Sequence, residues 1–273
     1  MNTTVKILGL DGKSSEETEL PQVFATPYRP EVMHKAYVNL YSHSFQKQGR
    51  YPAAGEIVSA ESRNTGLGIA RLARARGEGF PRAGQAAGVA GVRHGRVAHP
   101  PESWKNIYKK INKKENRLGL CSAIAATARK ELVVKRGHKV ENISTFPLVV
   151  SNDIELVSKA KDLQNAFNML GLKDELDRAH RSKSRTGTAR RRGRRKRAPK
   201  SILLVIGKEN QTVMRLSGSL PGIDIKHVDS LSVLDLLSGS KPIRLTIFSQ
   251  NAIEQLKSLK APLHAVMEAM KIS

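Results

Sequence analysis

The chain has 273 residues, enough to bury a substantial core in one or two domains. Only 39% of them are hydrophobic, and 47 Lys and Arg against 24 Asp and Glu leave a formal net charge of +23, which calls for a polyanionic partner, nucleic acid first. The longest apolar runs, Ser201–Ile206 and Ile243–Phe248, fall far short of the ~20 residues of a spanning helix, so no membrane partner is expected. The opening MNTTVKILGL lacks the apolar stretch of a secretory signal, and the single Cys121 excludes internal disulfides and thiolate clusters and fits a reducing cytosol.

In chain order, Val5–Leu8 is a short candidate strand. Pro30 suits the first position of a helix whose stripe Met33, Ala36, Tyr37, Leu40, Tyr41 has helical spacing. Glu102–Asn112 and Leu118–Arg136 are expected to be helices. In the second, Leu120, Cys121, Ile124, Ala125, Ala128 and Leu132 share one face, and Gly137 is the stop. Phe146–Val150 reads as a strand, followed by a helix capped at Asn152 or Asp153 and ending at Leu170 before Gly171. The apolar run Ser201–Ile206 has the character of a buried parallel strand. Strands at Asp224–Val228 and Ile243–Phe248 flank a short helix near Leu231–Leu237, and a last helix runs from about Asn251 to Lys260 behind the cap Ser249. Strands alternating with helices give an α/β fold, a mostly parallel sheet covered by helices, with one long extended Gly/Arg-rich loop. The expected organisation is a globular domain of residues 1–45 and 102–273, a loop of 46–101 inserted in it, and an arginine-rich segment at 178–200.

The charge is concentrated in two places. Between Lys47 and Pro100, nine basic residues face three glutamates; between Arg178 and Lys200, twelve face none. These stretches hold eighteen of the net charges, six and twelve respectively. In the first, ten glycines recur without apolar periodicity, and a structureless span of that length inside a domain is usually functional or disordered. Glycine allows close backbone approach, and arginine forks onto phosphates. The candidate contacts are therefore Arg50, Arg63, Arg71, Arg74, Arg76, Arg82, Arg93, His94, Arg96 and His99 in the loop. In the second segment they are Arg181, Lys183, Arg185, Arg190, Arg191, Arg192, Arg194, Arg195, Lys196, Arg197 and Lys200. Aromatic residues make up only 4%, too few for base-stacking platforms, so shape and charge should dominate the binding.

Enzymatic readings fail on local context. Gly66-Leu67-Gly68 is followed by Arg71 where a dinucleotide fingerprint needs its third glycine, and no strand precedes it. Gly88-Val89-Ala90-Gly91 matches a GxxG loop only in letters. The histidines are not expected to cluster with carboxylates, and Cys121 lies on an apolar helix face, as core rather than nucleophile. No catalytic set, metal site or cofactor is expected. A general nucleic-acid-compacting protein is the alternative that explains the charge, though not the non-repeating loop.

Four separated motifs carry a resemblance: TPYRPEVMHKAY, GEGFPRAGQAAGVAGVRHGRVAHPP, RTGTARRRGRRKRAPKSILLVIG and LPGIDIKHVDSLSVLDLLSG. Over nearly its whole length the chain resembles the family of the fourth universal protein of the large ribosomal subunit, in its archaeal and eukaryotic form. The resemblance implies a structural, cytoplasmic ribosomal role, with an α/β domain on the subunit surface and a loop reaching through ribosomal RNA to the peptide exit tunnel. It places the tip around Arg71–Arg96 and implies as partners large-subunit RNA, the protein lining the opposite tunnel wall, other large-subunit proteins and the nascent peptide. Gly66–Gly79, GLGIARLARARGEG, departs from the archaeal pattern in having fewer glycines and more aliphatic residues.

Overall fold

A computed structural model describes residues 4–143, 145–208, 210–241 and 243–259. The chain forms two units, one running up to Tyr41 and from Lys110 onward, the other Ser42–Lys109.

In the first unit, β1 (Thr4–Leu8) pairs antiparallel with β2 (Ser14–Glu19), and α1 spans Pro30–Tyr41. The second unit contains β3 (Ala60–Ser62) and β4 (Ala73–Ala75). Back in the first unit come α2 (Lys113–Thr127), α3 (Lys130–Arg136), β5 (Leu148–Val150), α4 (Ala160–Met169) and α5 (Lys173–His180). The arginine-rich segment holds β6 (Lys183–Ser184), α6 (Gly187–Arg191) and β7 (Lys196–Arg197). The rest is β8 (Leu203–Ile206), α7 (Gln211–Arg215), β9 (Asp224–His227), α8 (Val233–Leu236), β10 (Thr246–Ser249) and α9 (Gln250–Leu256). The main sheet runs β2-β1-β5-β10-β8-β9, and every pairing but β1–β2 is parallel. Strands β5, β8 and β10 are buried at every residue, the mark of a sheet covered on both faces. Phe24 meets Phe248 edge-on at 5.8 Å, and Cys121 lies wholly inside the core.

Three expectations need correction. Glu102–Asn112 forms no helix; Trp104 is 66% exposed, and a short helix without a surface to bury its apolar face is not stable. Lys109 is instead tied to the chain at Ser42, whose Oγ accepts its N–H at 2.9 Å. The single helix over Leu118–Arg136 is two, broken at the extended residue Arg129, so burial shifts by one position, from Leu132 to Val133. Gly137 does end α3, in the left-handed region at φ 96°. The helix before Leu170 begins at Ala160, because Asn152–Leu156 forms a separate 3-10 turn that carries Glu155 into the core. Strand β2, helix α7 and the elements of the arginine-rich segment have no strong apolar period and were not expected. Ser249 caps the last helix, accepting from the Ala252 N–H at 3.1 Å, while the expected end at Lys260 lies outside the described residues.

Candidate RNA interface

Within Ser42–Lys109 the two arms of the segment run together. A Cβ on Gly49 would touch the Ser103 backbone at 3.0 Å, and one on Gly55 would collide with the Gly95 and Arg96 backbone at 2.7 Å. Glycine is therefore what lets the arms close. Further along, β3 and β4 pair antiparallel, and the Ala75–Gln85 and Ala87–Ala73 backbone bonds add a third short strand segment. The segment is thus locally ordered and more structured than the extended loop expected from sequence. Some of its arginines serve this local structure. Arg50 donates to the Ala54 carbonyl, half-buried Arg74 to the Gly84 carbonyl at 2.9 Å, Arg76 pairs with Glu61 at 2.6 Å and Arg96 with Glu56 at 3.7 Å. Arg63, Arg71, Arg82, Arg93, His94 and His99 are exposed and have no side-chain partner among the described residues. Apolar side chains are exposed in the same unit, including Tyr51, Ile57, Leu67, Ile69 and Phe80.

The arginine-rich segment is a small antiparallel hairpin, with Lys183 opposite Arg197 and Ser184 opposite Lys196, and α6 at its turn. The side chains of Arg181, Lys183, Arg185, Arg190, Arg191, Arg192, Arg194, Arg195, Lys196 and Arg197 have no protein partner among the described residues. Lys200 differs, pairing with Asp224 at 2.7 Å. Like charges this close repel one another.

Beneath this hairpin lies a buried polar cluster that sequence reading missed. The fully buried Glu175 carboxylate accepts from His138 Nδ1 (2.7 Å), the Lys139 N–H (3.0 Å), Arg178 Nε and Nη2 (2.8 and 2.6 Å) and Ser201 Oγ (2.7 Å). Burial works to raise its pKa, but the bonds from Arg178, His138 and Lys139 outweigh it and hold the carboxyl down at about 2. His138 is pushed below its ordinary value by burial, which prevails over the attraction of Glu175. A neutral ring with its proton on Nδ1 agrees with the geometry, since Nε2 accepts the Leu245 N–H at 3.3 Å. Histidine and carboxylate do meet here, against expectation, across 37 positions that leave no local signal. The wiring is structural: the serine hydroxyl binds the carboxylate rather than the imidazole, and the cluster is buried. Arg178 Nη2 also donates to the Lys200 carbonyl at 3.0 Å, closing the foot of the hairpin. Arg244, 1% exposed, locks the adjoining chain by donating to the carbonyls of Ser201, Ile202 and Gly222 and to Asp224.

The carboxyl ends of the parallel strands, where α/β enzymes bind nucleotides, are built differently. The Gly207 N–H after β8 donates to the buried Glu155 carboxylate at 2.8 Å, which also receives Ser249 Oγ and Asn251 Nδ2. Gly207 packs so tightly on Asn251 that a Cβ there would meet its backbone at 2.5 Å. A carboxylate at this position repels phosphate. Burial raises the Cys121 thiol to about 11, so it is not a ready nucleophile. Among the described residues no group of three or more His, Cys, Asp or Glu could hold a metal ion, and no helix is long and apolar enough to cross a membrane.

Residues 18–259 match the model of the ribosomal protein L4/L1 family. The chain belongs to that family. Among its relatives, the large ribosomal subunit protein uL4 of Pyrobaculum aerophilum is 40% identical over 256 residues, covering 93% of this chain and 89% of the relative. The uL4 proteins of Methanococcus vannielii and Archaeoglobus fulgidus are 40% and 41% identical over 93% and 92% of this chain, and 98% and 97% of their own. The α/β fold with its mostly parallel sheet is the one expected from sequence for a member of the L4/L1 family. Among the described residues, its candidate contacts divide into sixteen side chains without a protein partner and five engaged by the protein itself, namely Arg50, Arg74, Arg76, Arg96 and Lys200.

Proposed function

We infer that this chain is a structural, non-catalytic constituent of the large ribosomal subunit, held there by ribosomal RNA. The observation that carries this is the set of cations with no protein partner among the described residues, on two segments of a chain whose relatives are named large-subunit proteins. Arg181–Arg197 supplies phosphate contacts from a hairpin whose foot is locked, and Arg63, Arg71, Arg82, Arg93, His94 and His99 supply them from the inserted unit. Segment 46–101 reaches through RNA towards the wall of the peptide exit tunnel. This is supported by exposed aliphatic and cationic side chains lying on the same short span, which together suit a surface covered by an anionic partner. In that setting the region Arg71–Arg96 borders the nascent peptide and the protein of the opposite tunnel wall, and other subunit proteins flank the α/β unit. Sedimentation of the tagged chain from cell extract tests this reading: it should travel with the large subunit and with whole ribosomes. A chain that stays at the top of the gradient, or follows chromosomal DNA, contradicts it.

A further inference from the structure

A cleft of about 330 Å³ opens at the foot of the arginine hairpin. Its walls come from parts of the chain far apart in sequence: Arg136 at the end of α3, Arg178 on α5, Arg197 and Lys200 on the hairpin's returning arm, and Ser238, Gly239 and Lys241 after α8. Neutral His138 lies at its floor. We propose that this cleft is a binding site for a backbone phosphate of RNA, separate from the hairpin's outer face and formed jointly by Arg136, Arg178, Arg197 and Lys241.

Five cations line the cleft, and the carboxylates near them are already occupied. Glu175 is fully buried beneath and satisfied by five hydrogen bonds, and Asp224 is shared by Lys200 and Arg244. Arg136 is fixed in place, donating Nη2 to the Ser238 carbonyl at 2.7 Å. Burial first, and then the neighbouring Arg244 and Arg178, depress its pKa to about 10. Arg178 spends Nε and Nη2 on Glu175 and the Lys200 carbonyl, leaving Nη1 without an acceptor among the described residues. The side chains of Arg197 and Lys241 also have no partner among them. Arg178 Nη1 and the Arg197 and Lys241 side chains, set around a cavity with no protein acceptor among the described residues, suit a tetrahedral oxyanion. Arg136 and Arg178 are held by their bonds to the Ser238 and Lys200 carbonyls and to Glu175, so a phosphate bound between them fixes the register of the protein on its RNA.

The proposal rests on the RNA-binding reading, and the test separates the two. The full chain carrying Arg197→Ala with Lys241→Ala is compared with a control of equal charge change on the hairpin itself, Arg194→Ala with Lys196→Ala, both exposed and outside the cleft. Affinity for purified large-subunit RNA is measured against salt, after equal melting temperatures establish that each variant folds. The cleft variant should bind about tenfold more weakly than the control and flatten the log–log salt slope by roughly one unit. A second arm adds inorganic phosphate at fixed ionic strength, which should raise the melting temperature of wild type and not of the cleft variant. Equal losses in both variants overturn the cleft while leaving RNA binding intact. Wild type that fails to bind the RNA overturns the RNA reading itself, and with it RNA as the source of the phosphate.

Discussion

Replacing Glu175 with alanine should destabilise the α/β unit more than any single change in the arginine hairpin. The carboxylate is 0% exposed and accepts five hydrogen bonds. Its removal leaves His138 Nδ1, the Lys139 N–H and Ser201 Oγ without an acceptor, while Arg178, a quarter exposed, can turn to water. Each stranded buried donor costs about 1–3 kcal/mol, and partial relaxation around the gap reduces the sum over the three, so a loss of about 3–5 kcal/mol is expected. That is a large share of the roughly 5–15 kcal/mol of a typical domain and lowers the melting temperature by about 6–20 °C. Urea unfolding at pH 7 followed by far-ultraviolet circular dichroism measures it. Glu175→Gln, which keeps an acceptor oxygen, should fall between wild type and Glu175→Ala. A loss below about 1 kcal/mol for the alanine variant would mean that the cluster is loose or hydrated, and that it does not hold the foot of the hairpin.

Three further outcomes are expected. Neutralising Arg190, Arg191, Arg192, Arg194 and Arg195 together should weaken binding to large-subunit RNA and flatten its log–log salt slope by roughly 3–4 units; an unchanged slope would show that they do not meet phosphates. Joining Tyr41 to Lys110 through about six Gly and Ser residues should leave the first unit cooperatively folded, because Asn39 already donates to the Lys110 carbonyl at 3.1 Å and the shorter loop returns at most about 2 kcal/mol of closure entropy. A melting temperature many degrees below wild type would show that the segment belongs to the core. Stability should also fall with acid in two windows. His138 titrates below its ordinary 6.5 in the folded state, so the unfolded chain takes up its proton first and stability declines as pH drops below about 6.5. Glu175, held at about 2 against 4.5, adds stability above pH 4.5 that is lost as pH falls towards 2; urea midpoints of wild type minus those of Glu175→Gln should show this second loss, and a constant difference would refute it.

The buried strands were legible because a continuous apolar run such as Ser201–Ile206 has few alternatives, and the caps at Ser249 and Gly137 announce themselves in local chemistry. The strand Ser14–Glu19 was not legible: SSEETE has a single β-branched residue, Thr18, and no apolar alternation, and it is placed by pairing with β1. Trp104, Ile107 and Tyr108 show the opposite failure, a helical spacing with no surface to bury it. Both basic segments were visible as composition, but sequence could not say which cations the protein uses for itself. Arg74 and Gly84, or Lys200 and Asp224, meet only after the chain has folded. The Glu175 cluster and the cleft above it depend on contacts spanning up to 107 positions, and no local pattern encodes those.

The central claim, that Ser42–Lys109 lies within ribosomal RNA while the α/β unit anchors it, is tested most directly by cleavage from a tethered iron chelate. Cys121 is the only cysteine and is buried, so a cysteine introduced at exposed Ile69 offers the one accessible thiol. With Ile69→Cys labelled and assembled into large subunits, hydroxyl radicals should cut large-subunit RNA at sites distant in its sequence that meet around the exit tunnel. Labelled subunits that contain the protein and show no RNA cleavage from this position would contradict the claim.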